Sequence, residues 1–343
     1  MQHKKIDHSK MSQQDKVRLT ENIVIESPQF KRITDKMREC HERSKYTSEP
    51  RCLLVTGDTG YGKTTLAKHY AKDFPKATNG EGTVIRVLRS SIPSSASIKS
   101  MASWLLQDMG DPLPERGTTS SITMRLCRLI KACKVELIIL DEFQHLIDRE
   151  TEQVLITSAD WLKSILNETG VPIVLMGMPW SVSILEAVGN DQLRRRFAPR
   201  MELKPFGWSN AAEQKEFIKF LMVLEKALPL KKESNLYSGD MPLRLFCATQ
   251  GVMANLKRLI SRAVENALER ESEKINIDLL ALAYDVELGL GIPGSVNPFR
   301  TDPEDLDPFK RPLPPDSGIS AGRRGRRRKT GGAKQNISGI LRK

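Results

Sequence analysis

The chain has 343 residues, 39% of them hydrophobic and 28% charged, which is typical of a globular protein with one large domain or two ordinary ones. Its N-terminus is polar and it contains no apolar run of the roughly 18–20 residues that a membrane span needs, so we expect a cytoplasmic protein without a membrane partner. The net charge of +12 comes mostly from nine Lys and Arg in residues 317–343, and it is therefore weak evidence about the folded part.

Residues 1–45 form a polar N-terminal extension that we expect to be partly helical. Pro28 stands where a helix can begin, and Phe30, Ile33 and Met37 then share one helical face. The composition changes shortly afterwards, where the first strongly apolar run begins. We therefore place the first domain boundary after residue 45.

The first motif is a glycine-rich loop. CLLVTG (52–57) is a strand-like run, and the residues from Thr64 onwards have helical character. Residues 57–64 match G-x-x-x-x-G-K-[ST], a loop whose backbone N–H groups wrap phosphates at a helix N-terminus. Lys63 is expected to reach the β- and γ-phosphates of ATP, and the Thr64 hydroxyl to bind Mg²⁺. The candidate nucleotide-binding residues are Gly57, Asp58, Thr59, Gly60, Tyr61, Gly62, Lys63, Thr64 and Thr65.

Four further runs predict strands and are separated by helical patterns. They are TVIRVLRS (83–90), VELIILDE (135–142), VPIVLMG (171–177) and RMELKPF (200–206). Five strands alternating with helices predict an α/β fold of the P-loop NTPase type, with a parallel five-stranded sheet covered on both faces. We expect TVIRVLRS to place an extra strand between the P-loop strand and the strand that ends at Asp141, as in hydrolysing ATPases.

An acidic pair follows the third of these strands. Asp141 ends the run LIIL, where a Walker-B carboxylate holds the magnesium shell, so Thr64 and Asp141 are the metal candidates. Glu142 is the candidate general base that polarises the attacking water, the alternative being a solvated strand end. The combination predicts an ATPase that converts ATP and water to ADP and phosphate.

Three arginines, Arg194 to Arg196, stand between Leu193 and Phe197. A guanidinium supplied by a neighbouring subunit stabilises the charge that develops in phosphoryl transfer, and this requires an assembly. The alternative is a solvated basic turn, because charge runs usually face water. The position of the run, between an ATPase-like sheet and a helical module, favours the first interpretation.

The rest of the chain changes character twice. Residues 207–290 show only helical periodicity and predict a small helical domain, whereas residues 291–343 are rich in Pro and then Arg and predict a flexible tail. We expect the phenylalanines of NPF (297–299) and DPF (307–309) to have no core to enter and to anchor a partner. The run RRGRRRK (323–329) has three possible roles: nonspecific DNA affinity, docking of an acidic partner, or a solvated end.

Taken together, these features resemble the AAA+ ATPases. The phrases LLVTGDTGYGKTTL, LDEFQHLID, IVLMGMP and QLRRRF are similar, in this order and spacing, to the TniB/TnsC group of AAA+ transposition regulators. The resemblance covers residues 45–270 and implies an AAA+ nucleotide-binding domain over 46–206 followed by a helical lid. The family's Q-L-x-x-R-F element implies that Arg196, or next Arg195, is a catalytic arginine finger.

Two positions depart from the family pattern. The fourth strand ends in Gly-Met-Pro (177–179), where many AAA+ proteins carry a polar sensor. Asn255 or Lys257 stands where a sensor-2 arginine is common. Gln144 and His145 are further candidates for sensing the γ-phosphate, although His145 can equally be a packing or surface residue. These departures imply slow or regulated turnover.

The resemblance also implies a function in DNA transposition. It implies ATP-dependent self-assembly into rings or helical filaments on duplex DNA, linking a target-selection protein to transposase subunits, with hydrolysis driving disassembly. The setting would be the bacterial cytoplasm, associated with the nucleoid. Two alternatives stay open, namely an AAA+ initiator or helicase-loader-like ATPase, and a DNA scaffold that binds ATP with little turnover. The candidate contacts to DNA phosphates are Arg89, Lys99, Thr118, Thr119 and Ser120.

Overall fold

The structure is a computed structural model that describes residues 11–309 except 48, 81, 95, 148–151, 187–190 and 290–295. The arginine-rich run at 323–329 lies outside the described residues, as does the rest of the predicted tail beyond residue 309. Within the described ranges, no helix is long and apolar enough to cross a membrane.

A parallel five-stranded sheet forms the centre of the first domain. Its neighbouring strands are parallel throughout, which confirms the predicted sheet. A separate antiparallel pair precedes the second sheet strand. The strands are β1 Leu53–Thr56, β2 Ala77–Asn79, β3 Gly82–Val84, β4 Val87–Ser91, β5 Leu137–Asp141, β6 Ile173–Gly177 and β7 Arg200–Glu202, and the sheet order is β4-β5-β6-β1-β7.

The prediction that TVIRVLRS (83–90) separates the P-loop strand from the Asp141 strand is wrong. The segment is divided at Arg86, so that its first part lies in β3 and its second part forms β4 at the edge of the sheet. The strand between β1 and β5 is β6. All residues of β6 are buried, whereas β4 leaves Ser91 exposed and Arg89 half-buried, which suits an edge strand.

Helices cover both faces of the sheet. On one face, α2 and α3 pack against Leu53 and Val55; on the other, α4, α5 and α7 form a core with Leu54. Since β1 is buried on both faces, Leu53, Leu54 and Val55 form an uninterrupted apolar run within it. The helices of this domain and of the extension are α1 Gln13–Glu21, α2 Pro28–Arg43, α3 Lys63–Lys72, α4 Ile98–Met109, α5 Thr119–Ala132, α6 Gln144–Ile147, α7 Glu152–Thr169, α8 Ser183–Glu186 and α9 Asp191–Arg196.

Four helices after the sheet build a second core. They are α10 Ala211–Ala227, α11 Met241–Thr249, α12 Met253–Glu269 and α13 Ile277–Glu287. Phe217, Leu259 and Leu280 are completely buried in this core. Helix α1 packs against α12, and Gln13 Nε2 donates to the Leu268 carbonyl over 3.1 Å. The N-terminal extension therefore contacts the lid as well as the sheet domain.

The segment 296–301 is attached to the lid, so the prediction that the flexible tail starts at residue 291 is wrong here. Phe299 is only 4% exposed and belongs to the lid core, contrary to the expectation that it has no core to enter. The buried Arg244 side chain donates to the Pro298 and Thr301 carbonyls over 2.5 and 2.7 Å. Phe309, in contrast, is exposed.

A buried polar network joins α2 to the start of β5. The two ring nitrogens of His41 bond the Tyr70 hydroxyl and the Glu136 carboxylate, each over 2.9 Å. Burial lowers the pKa of His41. Arg86 and Lys45 also pair with Glu136, at 3.0 and 3.3 Å. Burial alone raises the pKa of Glu136, but its three hydrogen-bond donors outweigh burial and lower that pKa to about 2.

Glu136→Gln is expected to lower the free energy of unfolding by about 2 kcal/mol at pH 7, since the partly exposed Arg86 and Lys45 lose their carboxylate and the buried His41 ring loses a charged hydrogen-bond partner. The pKa of Glu136 is depressed from 4.5, so its stabilisation is present above pH 4.5 and is lost as the pH falls towards 2. The difference between wild type and variant therefore shrinks below pH 4.5. Urea unfolding across this pH range measures it.

Glu39→Gln is the matched control, because Glu39 forms half-exposed pairs with Lys36 and Arg43 on α2. The decrease in the free energy of unfolding caused by Glu39→Gln is expected to stay below about 1 kcal/mol. Equal destabilisation by the two substitutions at pH 7 would contradict the role given to Glu136.

Candidate nucleotide-binding site

The loop between β1 and α3 has the backbone geometry of a phosphate cradle. Gly60 and Gly62 adopt φ values of +83° and +106°, which side chains other than glycine rarely allow. Gly62 caps α3 without a side-chain hydrogen bond, so the first N–H groups of the helix point into the loop. A Cβ on Gly57 would lie 2.7 Å from the Leu203 carbonyl oxygen. The loop therefore fits an anion against backbone donors.

Lys63 is held inside this loop. Its side chain is buried, and Nζ donates to the carbonyls of Gly57 and Asp58 over 2.7 and 3.1 Å. Burial lowers the pKa of Lys63, although the nearby carboxylates oppose that shift. The ammonium group therefore lies where a phosphate would replace the carbonyl groups as its partner.

Asp141 ends β5 with a carboxylate that is fully buried. Oδ1 accepts from the Glu142 N–H over 3.0 Å, while Oδ2 has no hydrogen-bond partner among the described residues. Burial raises the pKa of Asp141, and the Thr64 hydroxyl acts in the opposite direction. A free carboxylate oxygen beside a hydroxyl fits a hard cation such as Mg²⁺. Within the described residues, no group of three or more His, Cys, Asp or Glu side chains is arranged to hold a metal ion.

Glu142 is fixed by its neighbour Gln144. Glu142 adopts a left-handed backbone with φ +56°, and its Oε2 accepts from Gln144 Nε2 over 2.5 Å. The buried Gln144 also accepts from the Met178 N–H over 3.2 Å. Gln144 thus joins Glu142 to the end of β6, where the sequence lacks a polar sensor. His145 follows in α6, and its backbone N–H donates to the Glu142 backbone carbonyl over 3.0 Å.

A cavity of about 730 Å³ opens beside the loop and contains residues 59–65 and Glu142 in its lining. Residues 20–32, the linker 203–209 and helices α10 and α12 form the other walls. The volume is in the range of small-molecule and cofactor sites. Sequence reasoning missed the contribution of the extension, whose only signal was the short apolar run at 23–25. The apolar part of the wall includes Ile23, Val24, Ile25, Leu203, Phe206 and Ile260.

The lid meets the loop through backbone hydrogen bonds. The Ala254 N–H donates to the Gly60 carbonyl over 3.0 Å, and the Phe206 N–H donates to the Gly251 carbonyl over 3.0 Å. Of the two sensor-2 candidates, Lys257 lines the cavity. Asn255 instead donates to the Thr249 carbonyl over 3.4 Å. The structure therefore brings Lys257, and not Asn255, to the candidate site.

The arginines of α9 lie at the opposite end of β1. Leu193 and Phe197 are completely buried, and between them Arg194 pairs with Asp191 over 2.9 Å. Arg195 and Arg196 line a second cavity of about 790 Å³. The Cys52 N–H donates to the Arg196 carbonyl over 2.9 Å. The loop begins five residues after Cys52, at Gly57, which is roughly 16 Å of extended chain, so these arginines do not reach the glycine-rich loop of the same chain.

The candidate DNA contacts lie on three elements. Lys99 is exposed in the first turn of α4, and Thr119 and Ser120 are exposed in the first turn of α5. Thr118 caps α5 by accepting from the Ser121 N–H, so its hydroxyl has a structural partner. Arg89 is half-buried in the edge strand β4.

The family model described as Bacterial TniB protein matches residues 17–207, more than half of the chain. The chain belongs to the TniB family. This agrees with the resemblance drawn from its motifs, and the matched range of TniB includes the P-loop, the acidic pair and the arginine helix. No curated protein sequence gives a significant match.

Solved structures with this fold include origin-recognition proteins. The ADP form of ORC2 from Aeropyrum pernix is 18% identical, with a TM-score of 0.56 over 78% of this chain and 72% of that chain. CDC6P from Pyrobaculum aerophilum is 14% identical, with a TM-score of 0.57 over 78% and 70%. ORC1 from A. pernix in complex with DNA is 15% identical, with a TM-score of 0.53 over 78% and 68%. This TniB family member thus has the AAA+ fold, as predicted.

Gly60→Ala is expected to weaken ATP binding about tenfold, because a left-handed backbone disfavours alanine by roughly 1–2 kcal/mol. In addition, the new Cβ would lie 3.0 Å from the Ala254 Cβ and push the lid outward. Titration with a fluorescent ATP analogue measures the effect in this TniB protein. Gly80→Ala is the control, since nothing lies within 4 Å of its added Cβ. Unchanged affinity in Gly60→Ala would show that the loop and lid do not enclose the nucleotide.

Proposed function

We propose that this TniB family member is an ATP-dependent AAA+ regulator of DNA transposition. It assembles on duplex DNA and links a target-selection protein to transposase subunits, and ATP hydrolysis drives disassembly. The observation that carries the proposal is the division of the ATPase groups between the two ends of β1. The loop, Asp141 and Glu142 lie at one end and the arginines at the other, so a complete site needs two protomers.

At the first end, the proposed ligands are ATP and Mg²⁺. Residues 57–65 hold the phosphates, with Lys63 against the β- and γ-phosphates, and Thr64 and Asp141 hold the magnesium shell. Mg²⁺ supplies charge neutralisation on the phosphate oxygens. The apolar wall formed by residues 23–25 and the linker suits the base, since it is the non-polar part of the cavity.

Glu142 is the proposed general base, and Gln144 is the residue that positions it. A carboxylate must be both oriented and free to accept a proton from the attacking water. The hydrogen bond from Gln144 occupies one oxygen of Glu142 and fixes the side-chain direction. The side-chain amide of Gln144 is thereby hydrogen-bonded to Glu142 and to the Met178 N–H. We assign the remaining sensor role at the γ-phosphate to Lys257, which lines the cavity.

At the second end, Arg196 and Arg195 are the proposed arginine fingers for the neighbouring protomer. Guanidinium groups stabilise the charge that spreads over the transferred phosphoryl group. Arg196 stands closest to β1 because its carbonyl is bonded to the Cys52 N–H. Arg194 pairs with Asp191 and is largely exposed, so its guanidinium already has a partner.

The DNA contact is proposed at the exposed starts of α4 and α5. Lys99, Thr119 and Ser120 are residue types that bind phosphates without reading bases. The basic run at 323–329 adds nonspecific affinity through release of counterions. The fold similarity to ORC1 solved with DNA supports a DNA-binding role of this type. An initiator role rests on fold similarity alone, so transposition, which matches the family, is the proposal.

Glu142→Gln is expected to bind ATP and to assemble on DNA but to lose turnover by roughly 10²–10⁴-fold, because the amide cannot accept the proton. Assemblies should therefore persist after ATP is added. Sedimentation and phosphate release with ATP, Mg²⁺ and duplex DNA measure both properties. Lys63→Ala is the contrasting variant and should form no ATP-dependent assembly. Full disassembly by Glu142→Gln at the wild-type rate would favour the scaffold that hardly turns over ATP.

Arg196→Ala is expected to reduce ATP turnover in the assembly by at least about a hundredfold, because the transition-state charge loses its partner. Arg195→Ala should show a smaller loss, and Arg194→Ala should resemble the wild type. The three variants are compared by their ATP turnover per protomer. Sedimentation confirms that each variant is an oligomer under the conditions of that measurement. Equal and full activity of all three variants would return the run to a solvated basic turn.

A further inference from the structure

The cavity at the amino end of β1 is rich in hydrogen-bond donors. Three elements form its walls: the segment before β1, the C-terminal turn of α7, and α9. Its nitrogen-bearing side chains are Arg51, Asn167, Gln192, Arg195 and Arg196. The carboxylate in the lining is Glu49. Three permanent positive charges against one negative charge make the cavity electropositive.

The positive charge of these guanidinium groups is not balanced by an ion pair within the described part of the chain. Among the described residues, no carboxylate forms an ion pair with Arg51, Arg195 or Arg196. Arg196 Nη1 is shielded from solvent and has no hydrogen-bond partner in the described chain. Leaving a buried donor without a partner is unfavourable, and an acceptor supplied by a ligand can remove that cost. An anion that enters the cavity would give the guanidinium groups of Arg51, Arg195 and Arg196 a partner.

Arg51 is placed beside Arg196 by the backbone. The residue after Arg51, Cys52, donates its N–H to the Arg196 carbonyl over 2.9 Å, and the Leu54 N–H donates to the Pro199 carbonyl over 3.3 Å. Two successive hydrogen bonds between the same segments fix their relative position. Consequently Arg51 and Arg196 present a common donor surface before any ligand arrives, which reduces the ordering cost of binding.

We propose that Arg51 is a further trans-acting residue that binds the phosphates of the ATP held by the neighbouring protomer, together with Arg195 and Arg196. Asn167, on α7, provides an additional amide donor. This inference rests on the proposed function, because it needs a neighbour's nucleotide at this face. A DNA backbone is the less suitable ligand, since the donors lie on the walls of a cavity and a group must enter it to contact them. A terminal phosphate presented by a neighbour satisfies that requirement.

The first experiment compares two arginine variants in the full-length chain. Arg51→Gln removes the charge from the cavity, and Arg194→Gln removes an exposed arginine that already pairs with Asp191. With ATP, Mg²⁺ and duplex DNA, Arg51→Gln is expected to lower turnover per protomer about tenfold or more, and Arg194→Gln to match the wild type. Arg51→Lys should recover only part of the activity, because lysine lacks the planar fork. Equal unfolding midpoints confirm that the variants fold.

Mixing of variants tests the action between protomers. Glu142→Gln retains Arg51 but cannot hydrolyse ATP, and Arg51→Gln retains Glu142 but lacks the donor. In a random one-to-one assembly, about a quarter of the junctions pair a hydrolysing site with an intact Arg51. Turnover is therefore expected to rise to about a quarter of the wild-type value, well above that of either variant alone.

Three results would overturn the inference. Wild-type turnover by Arg51→Gln would remove Arg51 from the site while leaving the proposed function intact. A loss that mixing does not restore, together with weaker DNA binding in the absence of ATP, would assign Arg51 to DNA. A wild-type chain that neither assembles nor hydrolyses ATP in the presence of DNA would defeat the proposed function itself, and the role of Arg51 with it.

Discussion

Strand β1 imposes the main constraint on this molecule. Its carboxyl end leads into the glycine-rich loop, and its amino end is bonded to the residues that follow the arginine helix. Because a strand is rigid and buried on both faces, the distance between these two sets of groups is fixed. The glycine-rich loop and the arginines of α9 therefore cannot meet within one chain, and this separation is the reason for proposing a site shared between protomers.

Parts of the chain that are distant in sequence enclose the candidate nucleotide cavity. The N-terminal extension contributes an apolar wall and also packs on the lid, while Gln29 bonds the Glu202 carbonyl at the edge of the sheet over 2.9 Å. Movement of the lid therefore displaces part of the cavity wall. In a protein of this kind, nucleotide occupancy and lid position are expected to be energetically linked.

The sequence allowed the phosphate loop, the acidic pair and the parallel sheet to be predicted, because each depends on local residue chemistry at fixed spacing. Gly60 and Gly62 occupy backbone conformations that glycine permits. Asp141 lies at the end of a strand whose apolar run is recognisable in the sequence. The sheet order was not predictable in the same way, since the central place of β6 depends on burial against the whole fold. The roles proposed for Glu142 and Arg196 remain predictions.

Other features escaped prediction because they depend on contacts across long sequence separations. The buried Phe299 lies in a Pro-rich segment whose composition predicted a flexible tail. Arg244 on α11 holds that segment by donating hydrogen bonds to its carbonyl groups. The sequence did not identify Arg51 as a cavity residue, because its position depends on the backbone hydrogen bond between Cys52 and Arg196. In both cases, a side chain or backbone group of a remote element decides the position of a residue whose own sequence context is uninformative.

The hydrogen bond between the Ala254 N–H and the Gly60 carbonyl holds the lid against the glycine-rich loop without using a side chain. It also satisfies one of the amide groups that the first turn of α12 leaves without a partner inside the helix. Since both partners are main-chain atoms, every amino acid except proline retains the donor at residue 254. The loop and lid can thus stay in register while the side chains at 255 and 257 change, so that sensor chemistry is free to vary without uncoupling the two domains.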